Sequence, residues 1–117
     1  ISKAFRVYGI LRFTLQGQTL RLHVYQSKNL MNDPQYANYL FIPFTDKTNG
    51  EVTYEVGRYI DLSTEEIGSD DFRLDFNKAY NPYCAYISNK YNCPVPPKEN
   101  ELAVEIKAGE QKWNGGH

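Results

Sequence analysis

The sequence predicts a mostly β protein: one domain, an antiparallel β-sandwich or a partly open β-barrel, with one long ordered loop rich in proline and tyrosine. Three observations predict it. Apolar and polar residues alternate with period two through most of the chain, the repeat of a half-buried strand. No stretch carries the 3.6-residue stripe of an amphipathic helix. Glycine, proline, asparagine and aspartate cluster between the alternating runs, where turns need them. The 117 residues suit a single domain over 1–112, and the tail at 113–117 reads as a linker with a purification-tag remnant. Because the chain opens on Ile1 and not on Met, an upstream segment is expected to precede it.

The elements follow in order. Phe5, Val7, Gly9, Leu11, Phe13 and Leu15 alternate with Arg6, Tyr8, Ile10, Arg12 and Thr14, a long strand with a bend expected at Gly9. Gln16-Gly17-Gln18 is a short turn. It leads into a second strand with Leu20, Leu22 and Val24 inward and Thr19, Arg21, His23 and Tyr25 outward, completing a hairpin. Lys28–Asn38 has neither period and contains Asn32-Asp33-Pro34, so loop or one short helical turn is expected. Tyr39–Thr45 is dense in aromatic and branched residues and reads as a strand, with Pro43 arguing for an edge or a bulge. Asp46–Gly50 is a turn. Val52–Val56 and Arg58–Leu62 read as strand broken at Gly57, Ser63–Asp71 as loop, Phe72–Phe76 as strand, and Leu102–Ile106 as a closing strand.

Composition narrows the function classes. Thirteen basic and fourteen acidic residues give a net charge of −1, which removes the electrostatic case for nucleic acid or an anionic membrane. No apolar run approaches the roughly 18 residues of a spanning helix. There is no glycine-rich phosphate loop, nucleophile elbow, His-Glu metalloprotease motif or calcium-loop spacing, so no cofactor or metal is expected. His23, the one histidine outside the tail, reads as an exposed strand residue, and two thiols with one distant histidine do not make a four-ligand zinc set.

Three constellations carry candidate chemistry. The loop from Tyr80 to Asn100 holds Tyr80, Tyr83, Tyr86 and Tyr91, both cysteines and four prolines. So much aromatic area seeks burial. The loop is either a plug over an open end of the sheet, the favoured reading, or the wall of a ligand site. Cys84 and Cys93 have three readings: a disulfide clamping that loop, two buried thiols, or a nucleophile or metal ligand. Arg58 is the second constellation. Strand parity places it on the apolar face with Val56, Ile60 and Leu62, so its guanidinium must find a carboxylate or carbonyls. Asp46, Asp61 and Asp75 are the candidate partners. Arg58 either braces the sheet or holds an anionic substrate group in a two-pronged grip. Third, Asp61, Asp75 and Asn77 share a polar face if their strands pair, as an ordinary solvated surface or as a proton-sharing or cation-binding pair.

Two blocks of sequence carry a family resemblance. The first is Phe44-Thr-Asp-Lys-Thr-Asn-Gly-Glu-Val-Thr-Tyr followed by Gly57-Arg-Tyr-Ile-Asp-Leu. The second is Leu74-Asp-Phe-Asn-Lys-Ala-Tyr-Asn-Pro-Tyr-Cys-Ala-Tyr, then Cys93-Pro-Val-Pro-Pro-Lys-Glu-Asn-Glu-Leu and Ala108-Gly-Glu. Together they resemble the bacterial domain-of-unknown-function family sixteen eighty-four, over roughly Tyr8 to Glu110. The chain departs from the family pattern at Ile60, where leucine is commoner, and has a variable spacer over Ile87–Lys90. The resemblance implies no established activity. It implies an extracytoplasmic home, a longer N-terminus than this chain has, and motif residues at Arg58, Tyr59, Asp61, Asp75, Asn77, Tyr80, Asn81, Cys84, Cys93 and Asn100.

The leading functional expectation is a non-enzymatic, extracytoplasmic module, periplasmic, secreted or lipid-anchored, that binds a small molecule or a protein beside the 80–100 loop. Its candidate ligand-binding residues are Arg58, Tyr59, Asp61, Asp75, Asn77, Tyr80, Asn81 and Tyr86. One alternative is a small hydrolase using Asp61 or Asp75 as base, or Cys84 as nucleophile, with Arg58 stabilising an anion. The other is a purely structural module of a larger envelope protein.

Overall fold

A computed structural model describes residues 4–86 and 93–112. Four strands, β1 (Phe5–Leu15), β2 (Gln18–Ser27), β3 (Tyr39–Phe44) and β4 (Arg58–Ser63), form one antiparallel sheet in the order β1-β2-β3-β4. The mostly β, antiparallel class is the one the alternation indicates. The sheet stays open and is not closed into a barrel. What packs on it is irregular chain. A short helix, α1 (Thr64–Ile67), is capped by Ser63, whose hydroxyl accepts from the Glu66 amide.

The β1–β2 hairpin turns on Gln16 and Gly17, with φ of 51° and 75°. Two successive positive φ values match the right-handed twist of the flanking strands. The bend expected at Gly9 is a register shift: Val7 faces Tyr25 and Gly9 faces Val24, leaving Tyr8 as an extra residue. Because side chains alternate, one extra residue reverses the faces. The expected single inward row therefore splits. Leu11, Phe13 and Leu15 pack against the main core, while Phe5 reaches the other face, its ring 4.9 Å from that of Phe41.

Both faces of the central strands are covered. On one, Leu22, Val24, Leu40, Ile42, Phe44 and Ile60 are sealed beneath Ala79, Leu102, Val104 and Ile106. On the other, Tyr25, Phe41 and Tyr59 are buried, with Phe41 and Tyr59 meeting edge to face at 5.8 Å. Tyr25, expected outward, is buried because this aromatic layer lies over it. Fully burying residues of this size contributes about 1.5–3 kcal/mol each.

Three expected strands do not form, for one reason. Residues 52–56, 72–76 and 102–106 find no ladder partner. Thr53 is buried in the turn after Asn49, where its hydroxyl accepts from the Asn49 side chain at 3.2 Å. Phe72, Leu74 and Phe76 are half-buried against the core, in irregular chain that ends in a 3₁₀ turn at Phe76–Lys78. Leu102, Val104 and Ile106 are buried, with exposed residues between them. At 72–76 and 102–106 the alternation was a correct record of burial, but burial alone does not make a ladder; at 52–56 it was not, since Val52 and Val56 are exposed and Thr53 between them is buried. Ser63–Asp71, expected to be loop, contains α1. Tyr91 and the 113–117 tail lie outside the described residues.

Pro43 does not mark an edge, since β3 is central. It is tolerated because β2 and β3 have already separated: their one paired position is Tyr25 with Phe41. Asn100 fills the gap. Its amide nitrogen donates to the carbonyls of His23 (2.9 Å) and Pro43 (2.7 Å), and its oxygen accepts from the His23 amide (2.7 Å). A single side chain thus replaces the missing rungs. Asn100→Ala leaves three backbone groups without partners and is expected to cost about 2–4 kcal/mol, read as a lowered urea midpoint with an unchanged slope.

Candidate functional site

Arg58 opens β4 on the sealed face, with no exposed surface. Gly57 delivers it there. Gly57 has a φ of 130°, and a Cβ on it would stand 2.7 Å from the Phe44 carbonyl oxygen and 2.7 Å from Pro96 Cγ, so only glycine fits. The Arg58 guanidinium donates to the carbonyls of Ile106 (2.8 Å), Ala108 (2.6 Å) and Glu110 (3.2 Å). It lies 3.6 Å from an Asp46 carboxylate oxygen, also fully buried, and its central carbon sits 5.3 Å from the Phe44 ring centre. Burial pulls its pKa down, and the Asp46 charge opposes that pull. Asp46 in turn accepts from Thr48 Oγ1 and from the Ile106 amide. Of the three candidate aspartates, Asp46 is the partner, and the guanidinium has no free fork for a ligand.

Strand parity puts Tyr59 and Asp61 on the opposite face. There Asp61 Oδ1 accepts from Tyr80 (2.6 Å) and from Tyr39 (3.0 Å). Tyr80 is brought alongside by a two-way backbone bridge with Tyr59, both bonds 2.9 Å. The Tyr59 hydroxyl donates to the Pro94 carbonyl and so ties the proline loop to the sheet. Burial is the leading cause that raises the pKa of Tyr39, Tyr59 and Tyr80; Asp61 adds to it for Tyr39 and Tyr80.

The loop is fastened at three further points. Cys84 and Cys93 form a disulfide with Cα atoms 6.2 Å apart; no free cysteine is present among the described residues. The Asn81 amide donates to Glu110 Oε1 at 2.6 Å, and its side chain donates to the Gln111 carbonyl at 3.0 Å and to the Tyr86 hydroxyl at 3.3 Å. Between the fastened loop and residues 54–57 run two adjoining depressions. One, about 260 Å³, is lined by Tyr54, Gly57, Pro82, Pro94 and both disulfide cysteines. The other, about 840 Å³, is flanked by Lys47, Glu55, Lys98 and Glu101. Both share Val56, Val95 and Pro96.

The expected site residues therefore divide. Tyr59, Asp61 and Tyr80 come together, joined by Tyr39. Asn81 and Tyr86 meet at the loop base. Arg58 is sealed behind the sheet. Asp75 and Asn77 stay local: the Asp75 carboxylate accepts from the Asn77 amide at 3.0 Å and caps the 3₁₀ turn. Among the described residues no group of three or more His, Cys, Asp and Glu side chains could hold a metal. The groove is lined mainly by residues outside the candidate site list, notably Tyr54, Val56 and Pro96, although Tyr54 and Pro96 stand within the two family blocks. Gly57 and the Pro94–Pro97 run were the available signals, since both mark close backbone approach.

These features define a class: a small open antiparallel β domain whose aromatic loop is cross-linked by a disulfide and tied to the sheet through Tyr59. The chain belongs to DUF1684, a family described as proteins of unknown function, whose model matches residues 1–111. No curated protein matches it. It is similar to an uncharacterized protein of Haloarcula marismortui, solved in solution by NMR, with 36% identity and a TM-score of 0.64 over 87% of this chain. The chain spans about half of that protein, 53% of its length.

Two outcomes test this geometry. Arg58→Met leaves the Asp46 carboxylate buried without its cation and three carbonyls unpaired. It is expected to cost about 3–5 kcal/mol, and adding Asp46→Asn should return part of that by removing the stranded charge. Phenolate absorbance supplies the second. Tyr39, Tyr59 and Tyr80 hold their protons above the ordinary value of 10.0 in the folded protein. The folded state therefore binds more protons than the unfolded one above pH 10. Stability contributed by these groups is complete below that pH and is lost as pH rises through the folded values. Burial raises Tyr25 and Tyr86 as well, so native absorbance should show at least five late-titrating tyrosines, and Asp61→Asn should lower Tyr80 toward 10 by removing the carboxylate's share of its shift.

Proposed function

We propose that this domain is a non-enzymatic, extracytoplasmic binding module whose site is the groove beside the 80–100 loop. The observation that carries the reading is that groove: a loop fastened by Tyr59 and by Asn81 and cross-linked by a disulfide. The loop touches residues 54–57 where Pro96 meets Gly57 and leaves concave surface on either side, with apolar walls at Tyr54, Val56, Val95 and Pro96. A preformed apolar concavity with a few charged groups at its rim is the usual form of a small-ligand or peptide site. The motif residues Tyr59, Tyr80, Asn81 and Tyr86 then serve to set the wall in place. The disulfide suits an oxidising compartment, and no helix among the described residues is long and apolar enough to cross a membrane.

The hydrolase reading loses support because its parts have other duties: Cys84 is in the disulfide, Arg58 is sealed, and Asp75 caps a turn. A purely structural module is the second reading, favoured by the complete enclosure of Arg58.

The probe is anilinonaphthalene sulfonate, a small apolar anion, titrated against the native protein. Fluorescent binding is expected, weakened by about tenfold or more in Val95→Glu, which sets a negative charge against the anionic probe at an exposed position of the groove and leaves the melting midpoint unchanged. Binding that ignores Val95→Glu puts the site elsewhere, and no binding at all favours the structural module. Turnover of p-nitrophenyl esters that Asp61→Asn abolishes would restore the hydrolase.

A further inference from the structure

The net charge of −1 conceals a segregation. Five of the thirteen basic residues, Lys3, Arg6, Arg12, Arg21 and Lys28, precede Asp33, and none of the fourteen acidic residues does. The β1–β2 hairpin is thus a cationic surface on a chain that is acidic everywhere else. The register concentrates it. Arg12 stands directly opposite Arg21, both exposed, and His23 is opposite Ile10 on the same face. Like charges directly across an antiparallel pair repel, and among the described residues neither guanidinium has a carboxylate or hydrogen-bond partner. Arg6 differs: it donates to Gln26 at 2.8 Å.

β1 is also an outer strand, eleven residues long. Among the described residues nothing is paired to its free edge. Edge strands are ordinarily guarded by charged side chains, by proline, by bulges, by shortness or by cover; β1 has its bulge at Tyr8 and the charges of Arg6 and Arg12, which repel a basic strand and attract an acidic one. Beside that bulge three large apolar residues are exposed, Val7 (47%), Tyr8 (39%) and Ile10 (47%).

We propose that the free edge of β1 docks an acidic, extended polypeptide segment, which adds to the sheet as a fifth strand with a carboxylate facing Arg12. Strand addition supplies main-chain hydrogen bonds, and alternate side chains supply specificity. A carboxylate opposite Arg12 neutralises the Arg12–Arg21 pair, and Val7, Tyr8 and Ile10 lie against the incoming strand. The chemistry disfavours a second copy as the occupant, because β1 has no acidic residue to set against its own arginines. It also goes beyond the groove reading, since none of these residues lines the groove.

The test uses the full chain labelled with nitrogen-15 and a synthetic peptide of about nine residues alternating glutamate with threonine. Amide shifts confined to Phe5–Leu15 are expected, with slowed hydrogen exchange along β1. A peptide with lysine in place of glutamate should bind at least about tenfold more weakly. The Arg12→Glu, Arg21→Glu double variant should reverse that preference, while an unchanged amide spectrum elsewhere shows that it folds. The proposal is overturned by equal binding of the two peptides, by shifts centred on the Pro94–Pro97 groove, or by no shift at millimolar peptide. It is likewise overturned if β1 amides are protected without peptide as protein concentration rises, which makes the occupant a second copy. Binding of phosphatidylglycerol vesicles through the same arginines, with no response to the acidic peptide, would assign the strip to a membrane surface instead.

Discussion

The buried pair of Arg58 and Asp46 is the interaction on which the rest of the domain depends. An antiparallel sheet with one face bare needs a second layer, and the described residues form no second sheet to supply it. Its covering layer is irregular, so its backbone groups must be satisfied one by one. Arg58 takes the carbonyls of Ile106, Ala108 and Glu110, at every second residue, and Asp46 takes the Ile106 amide. The two side chains do for residues 106–110 what a neighbouring strand would do. They also cancel each other's charge, which makes a fully buried guanidinium tolerable. With that segment anchored, Leu102, Val104 and Ile106 can close the core, and Glu110 can reach the Asn81 amide at the base of the loop.

The same device recurs on a smaller scale. Asn100 bridges β2 and β3 where their ladder fails, and Asp75 caps the turn that follows an unpaired segment. In each case a polar side chain stands in for a rung. That explains why residues that look chemically promising in the sequence are mostly engaged in holding the fold. Arg, Asp, Asn and Tyr are suited to catalysis because they hydrogen-bond well in low dielectric, and the same property suits them to bracing irregular chain. The outcome of that work is a loop tied to the sheet at Tyr59 and Asn81, with a concavity beside Val95 and Pro96.

Much of this was legible in the sequence, at the level of constraint. The parity of β4 required Arg58 to be buried, and burial required a partner. The hairpin register and its turn followed from alternation around Gln16-Gly17. Three things were not legible. Alternation at 72–76 and 102–106 reported which side chains are buried, but not whether a strand was available to pair with them; at 52–56 it misreported burial too, since Thr53 and not Val52 or Val56 is inside. The bulge at Tyr8 reversed the faces of β1, because parity is lost when a single residue slips out of register. The groove-lining residues Val56 and Pro96 are chemically unremarkable and became a site only by being brought together.

By itself, then, the sequence determined the class of fold, the burial of Arg58 and the cationic character of the first thirty-two residues. These are properties of composition and period, which need no knowledge of what lies opposite. Tertiary structure alone decided that Asp46 and not Asp61 or Asp75 answers Arg58, that Asp61 serves two tyrosines, that Cys84 meets Cys93, and that Arg12 confronts Arg21 on an open edge. Each is a pairing between positions distant in the chain or set by register. A side chain's need for a partner is local chemistry, but which partner arrives is fixed by the path of the backbone between them.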